Sequence, residues 1–342
     1  MIDRLCKALD NKDLTLAIFF ENTVFLRHIF AFFAILFTFE IFSANCFKMG
    51  KSGPDKQSEL KVAIQGYPGA FHDMAARKFF SGANMEIIPC LTFKESFDLV
   101  KNSRADVTVV AIENSLAGSL LPNYALLRNS GLKIAGEVYL RIEQHLMALK
   151  GQTLDDITEI QSHPLAIIQC DEFLEPLRKK GVKIIDTPDT ALSARDISVN
   201  RLKGVAALAS SMAAEMYGLE IIRQGVETNK RNFTRFLALV PEDEADHIRQ
   251  WYIDKPANKA SVCFSLTHKV GSLSQILSVL AFYNINLTKI QSAPIIGREW
   301  EYFFYVDLMF TDKNMYERSL DAIRPLTDQL QLMGEYASGQ YE

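Results

Sequence analysis

The segment Asn232-Phe233-Thr234-Arg235-Phe236 sets a hydroxyl beside a fixed cation, with an amide two residues earlier and an aromatic ring just after. In an extended chain Asn232 and Thr234 share one face, and Phe233 and Arg235 share the other. A short extended segment can so offer an amide and a hydroxyl together to a small polar substrate. The plainer alternative is an edge strand with solvated polar residues. Gly66-Tyr67-Pro68-Gly69-Ala70 lies between a strand-like run, 61–65, and a helical pattern, 73–80. Free backbone amides at such a place can cradle an anion. The turn lacks the Gly-Lys-Ser/Thr ending of a P-loop and the glycine spacing of a dinucleotide site, and a tight structural turn is the competing reading. Glu113-Asn114-Ser115 closes a buried-type strand, 106–112, where it either meets a ligand or caps a helix. Ser162-His163-Pro164 ends another strand. Pro164 falls in the first turn of a helix, Ser162 is placed to cap it, and His163 faces the same opening as the other strand ends. His145, between two strands, reads as a satisfied, half-buried histidine.

The elements that position these groups alternate strand and helix from 60 to 240, which predicts a mostly parallel α/β architecture. Two sheets, with the chain crossing near 137 and returning near 225, would enclose a cleft. Residues 241–259 are charged and carry prolines, and read as a linker. Beyond them come strand 260–266, helix 272–283, strand 285–291, strand 300–310, helix 314–330 and strand 331–336. This βαββαβ order is ferredoxin-like.

The chain has 342 residues, 48% hydrophobic and 23% charged, enough for two or three folded domains. A net charge of -4 without a basic run argues against a nucleic-acid partner. Cys6, Cys46, Cys90, Cys170 and Cys263 are far apart and the histidines are scattered. No metal site and no disulfide framework are expected, and the setting reads as reducing and cytoplasmic. Residues 1–48 hold ten of the 23 phenylalanines, and 29–39 is an uncharged run. That run is shorter than the ~20 residues of a membrane span. It reads as a signal-peptide core, or as sequence upstream of a physiological start at Met49, the reading we favour. No membrane association of the mature chain is expected.

In order and separation these blocks resemble the prephenate dehydratase family, which includes arogenate dehydratases, with an ACT regulatory domain behind. The resemblance spans about 60–338. It rests on Gly66-x-x-Gly69-Ala70-Phe71, Glu113-Asn114-Ser115 with Gly118-Ser119, Gly136-Glu137 and His145. It continues with Ser162-His163-Pro164, Gln169-Cys170, Asp189-Thr190-Ala191 and Asn232-x-Thr234-Arg235-Phe236. The resemblance implies an α/β fold: a two-lobed catalytic domain like that of periplasmic binding proteins over 60–240, then a ferredoxin-like ACT domain over 260–338. Lobe one is 60–137 with 225–240, lobe two is 138–224, and 1–59 is a leader outside the fold.

The implied reaction is that of a carbon–oxygen lyase without a cofactor. Prephenate loses CO2 and water to give phenylpyruvate, in phenylalanine biosynthesis. Arogenate is the alternative substrate, and a non-catalytic solute-binding protein is the alternative from another class. Carried onto this chain, Thr234 hydrogen-bonds the leaving hydroxyl. Arg235 binds a substrate carboxylate or, given strand alternation, braces the cleft. Asn232, Asn114, Ser115, Gln169 and the Gly66, Gly69 and Ala70 amides contact substrate. Phe71 and Phe236 supply an apolar wall, and Glu113 and His163 are titrating groups or braces. Gly271, Ser272, Leu273, Asn284, Gln291 and Ser292 mark the expected phenylalanine site, and a homodimer or homotetramer is expected. The chain departs from the family at Leu165, where a glutamine is usual. It departs again at Gln291-Ser292-Ala293-Pro294, where Glu-Ser-Arg-Pro is usual, and at Gly271-Ser272-Leu273, where Gly-Ala-Leu is usual. The catalytic blocks are kept and the regulatory ones altered.

Overall fold

Hydrophobic runs at 60–65, 107–112 and 236–240 are too continuous for strands with one wet face, and they form the middle of a sheet covered on both sides. The computed structural model describes residues 59–252 and 255–340, all within one unit, Pro54–Glu342. The apolar run 29–39 and the proposed start at Met49 lie outside the described residues.

The first sheet contains β1 (Leu60–Gln65), β2 (Met85–Cys90), β3 (Val107–Asn114), β5 (Lys133–Arg141) and β11 (Phe233–Val240), in the order β2-β1-β3-β11-β5. The short β4 (Gly118–Ser119) folds back on β3. β1 is parallel to β2 and β3, as strands joined through helices α1 (Phe71–Phe79) and α2 (Phe93–Lys101) must be. β11 is antiparallel to both β3 and β5, because the chain re-enters it from the second lobe. Its polar first residues therefore land beside the carboxyl end of β3, the end where α/β sheets bind ligands. Helix α3 (Leu121–Ser130) begins with Pro122 and stops at Gly131, whose φ of 77° is open to glycine.

The second sheet joins β6 (His145–Ala148), β7 (Glu159–Ser162), β8 (Lys183–Asp186), β9 (Val205–Ala209) and β10 (Glu220–Arg223) in the order β10-β6-β9-β7-β8. β7 is parallel to β8 and β9, while β6 is antiparallel to β9 and β10, so this sheet is mixed rather than mostly parallel. Its helices are α4 (Pro164–Gln169), α5 (Asp171–Lys179), α6 (Thr190–Val199) and α7 (Ser211–Tyr217). The single helix expected after Pro164 is interrupted at Cys170, where the backbone leaves helical geometry.

The segment expected as a linker holds helix α8 (Ala245–Tyr252). Ile248 packs into the first lobe's core, and Arg249 donates to the Glu335 carbonyl at 2.7 Å. The C-terminal unit follows: β12 (Lys259–Ser265), α9 (Ser272–Phe282), β13 (Asn286–Pro294), β14 (Tyr302–Met309), α10 (Lys313–Ile323) and β15 (Gln329–Tyr336). Its antiparallel order β13-β14-β12-β15 is the ferredoxin-like arrangement. α10 stops before Pro325, short of the expected 330. One face of this sheet packs under α9 and α10 through Val262, Phe264, Ile276, Leu308 and Tyr316. The other face shares a core with the first lobe, where Cys263, Tyr305 and Met333 meet Val110, Ile112, Leu127 and Leu237. Gly334 brings β15 so close to β5 that a Cβ there would overlap the Ile134 carbonyl. Among the described residues no helix is long and apolar enough to cross a membrane.

Candidate active site

Asn114 ends β3 and Thr234 is the second residue of β11, and the two are cross-strand partners. Asn114 Oδ1 accepts from the amides of Leu116 at 2.9 Å and Ala117 at 2.8 Å, in the turn between β3 and β4. That settles the orientation of the side chain. Nδ2 faces the other way and donates to Asn232 Oδ1 at 2.7 Å and Thr234 Oγ1 at 2.9 Å. Thr234 is an acceptor toward Asn114, which leaves its own proton for a further partner. Asn232 Oδ1 is taken in the same way, and its Nδ2 has no partner among the described residues. Asn232 is fully buried, so it stands behind the pair as a brace. Ser115 is exposed. Its Oγ accepts from Phe233 N at 2.9 Å and donates to the Arg231 carbonyl at 3.1 Å, tying the approach to β11 onto the end of β3.

The 66–70 turn is corrected from anion cradle to inter-lobe latch, because its amides are already bonded. Gly66 N donates to Cys90 O at 2.9 Å, Ala70 N to Tyr67 O at 2.9 Å and Gly69 N to Asp73 Oδ2 at 2.8 Å. Tyr67 N serves the Asp189 carboxyl, and Pro68 has no N–H. Its carbonyls are held from the second lobe, Gly69 O by Ser210 Oγ at 2.5 Å and Pro68 O by Tyr217 OH at 2.7 Å. Gly66 has a φ of 99°, and a Cβ there would lie 2.6 Å from Asp189 Oδ2. Burial pushes the Asp189 carboxyl up, opposed by the Leu192, Ala191 and Tyr67 amides and by the nearby His163.

His163 caps α4, with Nδ1 accepting from Leu165 N at 3.2 Å. The neutral ring then carries its proton on Nε2. Ser162, expected as that cap, instead donates to the Leu208 carbonyl at 2.7 Å. Gln169 is half-buried at the end of α4, where its carbonyl receives Thr228 N at 2.8 Å. His145 is satisfied, its Nδ1 accepting from Gly225 N at 3.2 Å.

Arg235 does not reach the Asn114–Thr234 pair, so its expected place as a carboxylate ligand in the cleft is corrected. The side chain is 4% exposed and turns toward the C-terminal unit. Nε donates to Glu137 Oε2 at 2.6 Å, Nη2 to Tyr336 OH at 2.8 Å, and Nη1 to Asp307. Lys259 Nζ lies 2.9 Å from both Glu137 oxygens, and Ser261 Oγ joins Asp307 to Tyr336 OH. Two cations and two carboxylates balance in this buried seam, the condition under which buried charge is tolerated. Burial alone would push the Asp307 carboxyl up; Arg235, Lys259 and the Ser261 hydroxyl hold it below its ordinary value. Glu113 turns the same way, its Oε1 2.6 Å from Lys289 Nζ, in the position of a brace, one of the two roles expected for it. Phe236 is corrected too. It is 1% exposed in the first lobe's core, edge-on to His72, and forms no cleft wall. Phe71 is half-buried on the first turn of α1 and packs on that same core.

Two structural residues had no clear signal in the sequence. His72 is enclosed by Phe93 and Phe236, and its Nε2 accepts from Ala111 N at 3.3 Å. Burial lowers it to about 4. Glu227, with a fully buried side chain, clamps the crossing between lobes. It accepts from Gln144 N at 3.0 Å and pairs with Lys230 at 3.4 Å and Arg141 at 3.5 Å. Its only sequence cue is the company of Arg223, Lys230 and Arg231.

In the C-terminal unit, Gly271 precedes α9 with a φ of 84°, and Ser272 Oγ donates to the Thr267 and Lys269 carbonyls. Leu273 packs against that unit's core, and Gln291 Nε2 donates to the Ser292 carbonyl at 2.8 Å. Asn284 lies beyond the far end of α9, about 16 Å of helix from Gly271. One copy of the chain does not bring these six residues around a single ligand. Among the described residues no group of three or more His, Cys, Asp or Glu is placed to hold a metal.

Comparison with known proteins identifies the family. The family model for prephenate dehydratase matches residues 62–244. Arogenate dehydratase 5 of Arabidopsis thaliana, described as chloroplastic, is 38% identical over 83% of this chain and 68% of its own length. Arogenate dehydratase 1 of Petunia hybrida is 37% identical over the same shares. Among solved structures, a protein described as a novel type of quorum quenching acylase is 31% identical, with a TM-score of 0.69 over 81% of this chain and 98% of that one. The prephenate dehydratase of Arthrobacter aurescens in complex with L-Phe is 24% identical, with a TM-score of 0.68 over 81% of this chain and 90% of that one. With its Asn114–Thr234 pair inside the matched segment and its relatives similar over most of its length, the chain belongs to the prephenate dehydratase family.

Proposed function

We propose that this protein is a prephenate dehydratase, converting prephenate to phenylpyruvate with loss of CO2 and water. The observation that carries this reading is Thr234 accepting from an amide whose orientation is locked by two backbone donors. A hydroxyl held so offers its proton to the leaving oxygen. The bonding pair of the departing carboxylate enters the ring, and the C4–O pair leaves with the oxygen. Thr234 supplies the hydrogen bond, and water replaces the proton. Threonine is a weak acid, and aromatisation drives the step. Help of this kind is typically worth ~10²–10⁴-fold. The exposed His163 Nε2–H is a donor for another substrate oxygen, which the enzyme must hold in one orientation for both bonds to break together.

Arogenate, with an amine in place of the side-chain keto group, is the second reading. It is favoured by curated relatives that carry arogenate dehydratase in their names, some with prephenate dehydratase beside it. Acyl hydrolysis fits less well, because it needs an activated nucleophile. Ser115, Ser162 and Ser210 each donate to a backbone carbonyl, and burial pushes the Cys170 thiol up to about 12.

Phenylalanine is proposed as effector of the C-terminal unit, by analogy with the relative described in complex with L-Phe. A homodimer or homotetramer is proposed through the same unit, where β13 is an edge strand that pairs, among the described residues, only with β14, and Ile290 is exposed on it.

The test is purified protein with prephenate and, separately, with arogenate. Phenylpyruvate from prephenate supports the first reading, and phenylalanine from arogenate alone supports the second. Binding without turnover would point to a solute-binding protein, and inertness toward both would overturn the proposal.

A further inference from the structure

We infer that Lys289, from the C-terminal unit, is a positioning residue for the dehydratase site, acting through the hairpin that holds Asn114. The inference rests on the dehydratase reading above. Glu113 and Ser119 are register partners at the base of the hairpin formed by β3 and β4. Lys289 Nζ reaches from β13 and bonds both, Glu113 Oε1 at 2.6 Å and Ser119 Oγ at 2.8 Å. The lysine side chain is 9% exposed, and its ammonium lies 5.6 Å from the Tyr124 ring centroid, over α3. One cation therefore fastens the two ends of the loop together.

Inside that loop, the amides of Leu116 and Ala117 hold Asn114 Oδ1, and Asn114 Nδ2 holds Thr234. Residues 115–118 are exposed, so the turn has little packing of its own, and so short a hairpin is not stable in isolation. Ties at its base set its shape. A shift of the two turn amides would release Asn114 to rotate and cost Thr234 its fixed donor. A merely adhesive role is less suited to Lys289, because docking of the C-terminal unit is already served by other groups. The Arg235, Lys259, Glu137 and Asp307 seam and the shared apolar core carry it, and they adjoin this contact through Asp307, the register partner of Lys289, and through Tyr124.

The test uses the full chain and whichever substrate the wild type turns over. Lys289→Met keeps the apolar stem and removes the charge. We expect kcat to fall about tenfold or more while KM moves by less than about threefold, the pattern of a lost transition-state arrangement. The melting temperature should stay within about 5 °C of wild type. Lys289→Arg reaches the same acceptors and should recover at least about a third of kcat. Ser119→Ala, which removes one of the two ties, should fall between. Arg298→Ala breaks an exposed pair with Glu301 in the same unit and should leave kcat unchanged.

Wild-type kcat in Lys289→Met overturns the inference, as does a Lys289→Arg enzyme no better than Lys289→Met at equal melting temperature. If Lys289→Met does not fold, Ser119→Ala and Lys289→Arg decide, and wild-type kcat in Ser119→Ala counts against the role. A wild type that turns over neither substrate defeats the dehydratase reading and this inference with it. An active wild type with an active Lys289→Met defeats the inference alone.

Discussion

Asn114 presents its carbonyl oxygen to two turn amides and its NH2 group to two side-chain oxygens, and reversing it would set donor against donor. The variant Asn114→Asp tests this at constant shape. A carboxylate still accepts from Leu116 and Ala117, so the turn keeps its bonds. Toward Thr234 it can only accept, and it draws the hydroxyl proton inward, away from substrate. We expect folding close to wild type by circular dichroism and thermal melting, with kcat lower by about 100-fold or more. Unchanged turnover would separate Asn114 from the chemistry. The residue types were legible in the sequence as Glu113-Asn114-Ser115 and Asn232-x-Thr234. Their division of labour was not, because it depends on amides that only the folded hairpin brings within reach of Asn114.

β11 shows how one strand serves two sites. Thr234 and Arg235 are adjacent, so one meets Asn114 and the other enters the seam with the C-terminal unit. Alternation foretold the separation. It could not foretell what Arg235 would meet, since Asp307 and Tyr336 lie 72 and 101 residues away in sequence. Arg235→Ala leaves two buried carboxylates to share Lys259. We expect a loss of ~3–5 kcal/mol in urea unfolding, with KM of the surviving folded enzyme little changed. A KM raised about 100-fold at near-native stability would return Arg235 to the substrate.

Helix α1 carries a second element-scale prediction. Burial lowers His72 from 6.5 to about 4, so the folded state prefers the neutral ring. Between these values the unfolded chain binds more protons, and stability rises with pH. The contribution is fully present above about 6.5, declines by about 3 kcal/mol as pH falls toward 4, and then levels off. Urea midpoints measured from pH 7 to 4.5 should fall less steeply in His72→Leu than in wild type, and equal slopes would contradict this. Of the two readings of the 66–70 turn, the structural one is decided at this same scale. Its glycines suit an anion cradle, and only the second lobe's Asp189, Ser210 and Tyr217 reveal that its polar groups are already bonded.

At the scale of the molecule, two sheets are joined through the 66–70 turn, and the C-terminal sheet presses one face against the first lobe. The strand–helix alternation and the βαββαβ tail were legible because each element carries its own period and stop signals. The antiparallel insertion of β11, the mixed second sheet and the helix at Ala245–Tyr252 were not. Strand order is a long-range outcome, and the charged surface of α8 looks like a linker until Ile248 finds its core. The first of these bears on the site, because antiparallel insertion of β11 sets Thr234 opposite Asn114.

The role of Thr234 is tested most directly by comparing kcat of Thr234→Ala and Thr234→Ser with wild type on the substrate that the wild type turns over. We expect Thr234→Ala to lose about 100-fold or more in kcat at an unchanged melting temperature, and Thr234→Ser, which keeps the hydroxyl, to retain most of the rate. A folded Thr234→Ala enzyme turning over at close to the wild-type rate would contradict the assignment of the bond-breaking step to the Asn114–Thr234 pair.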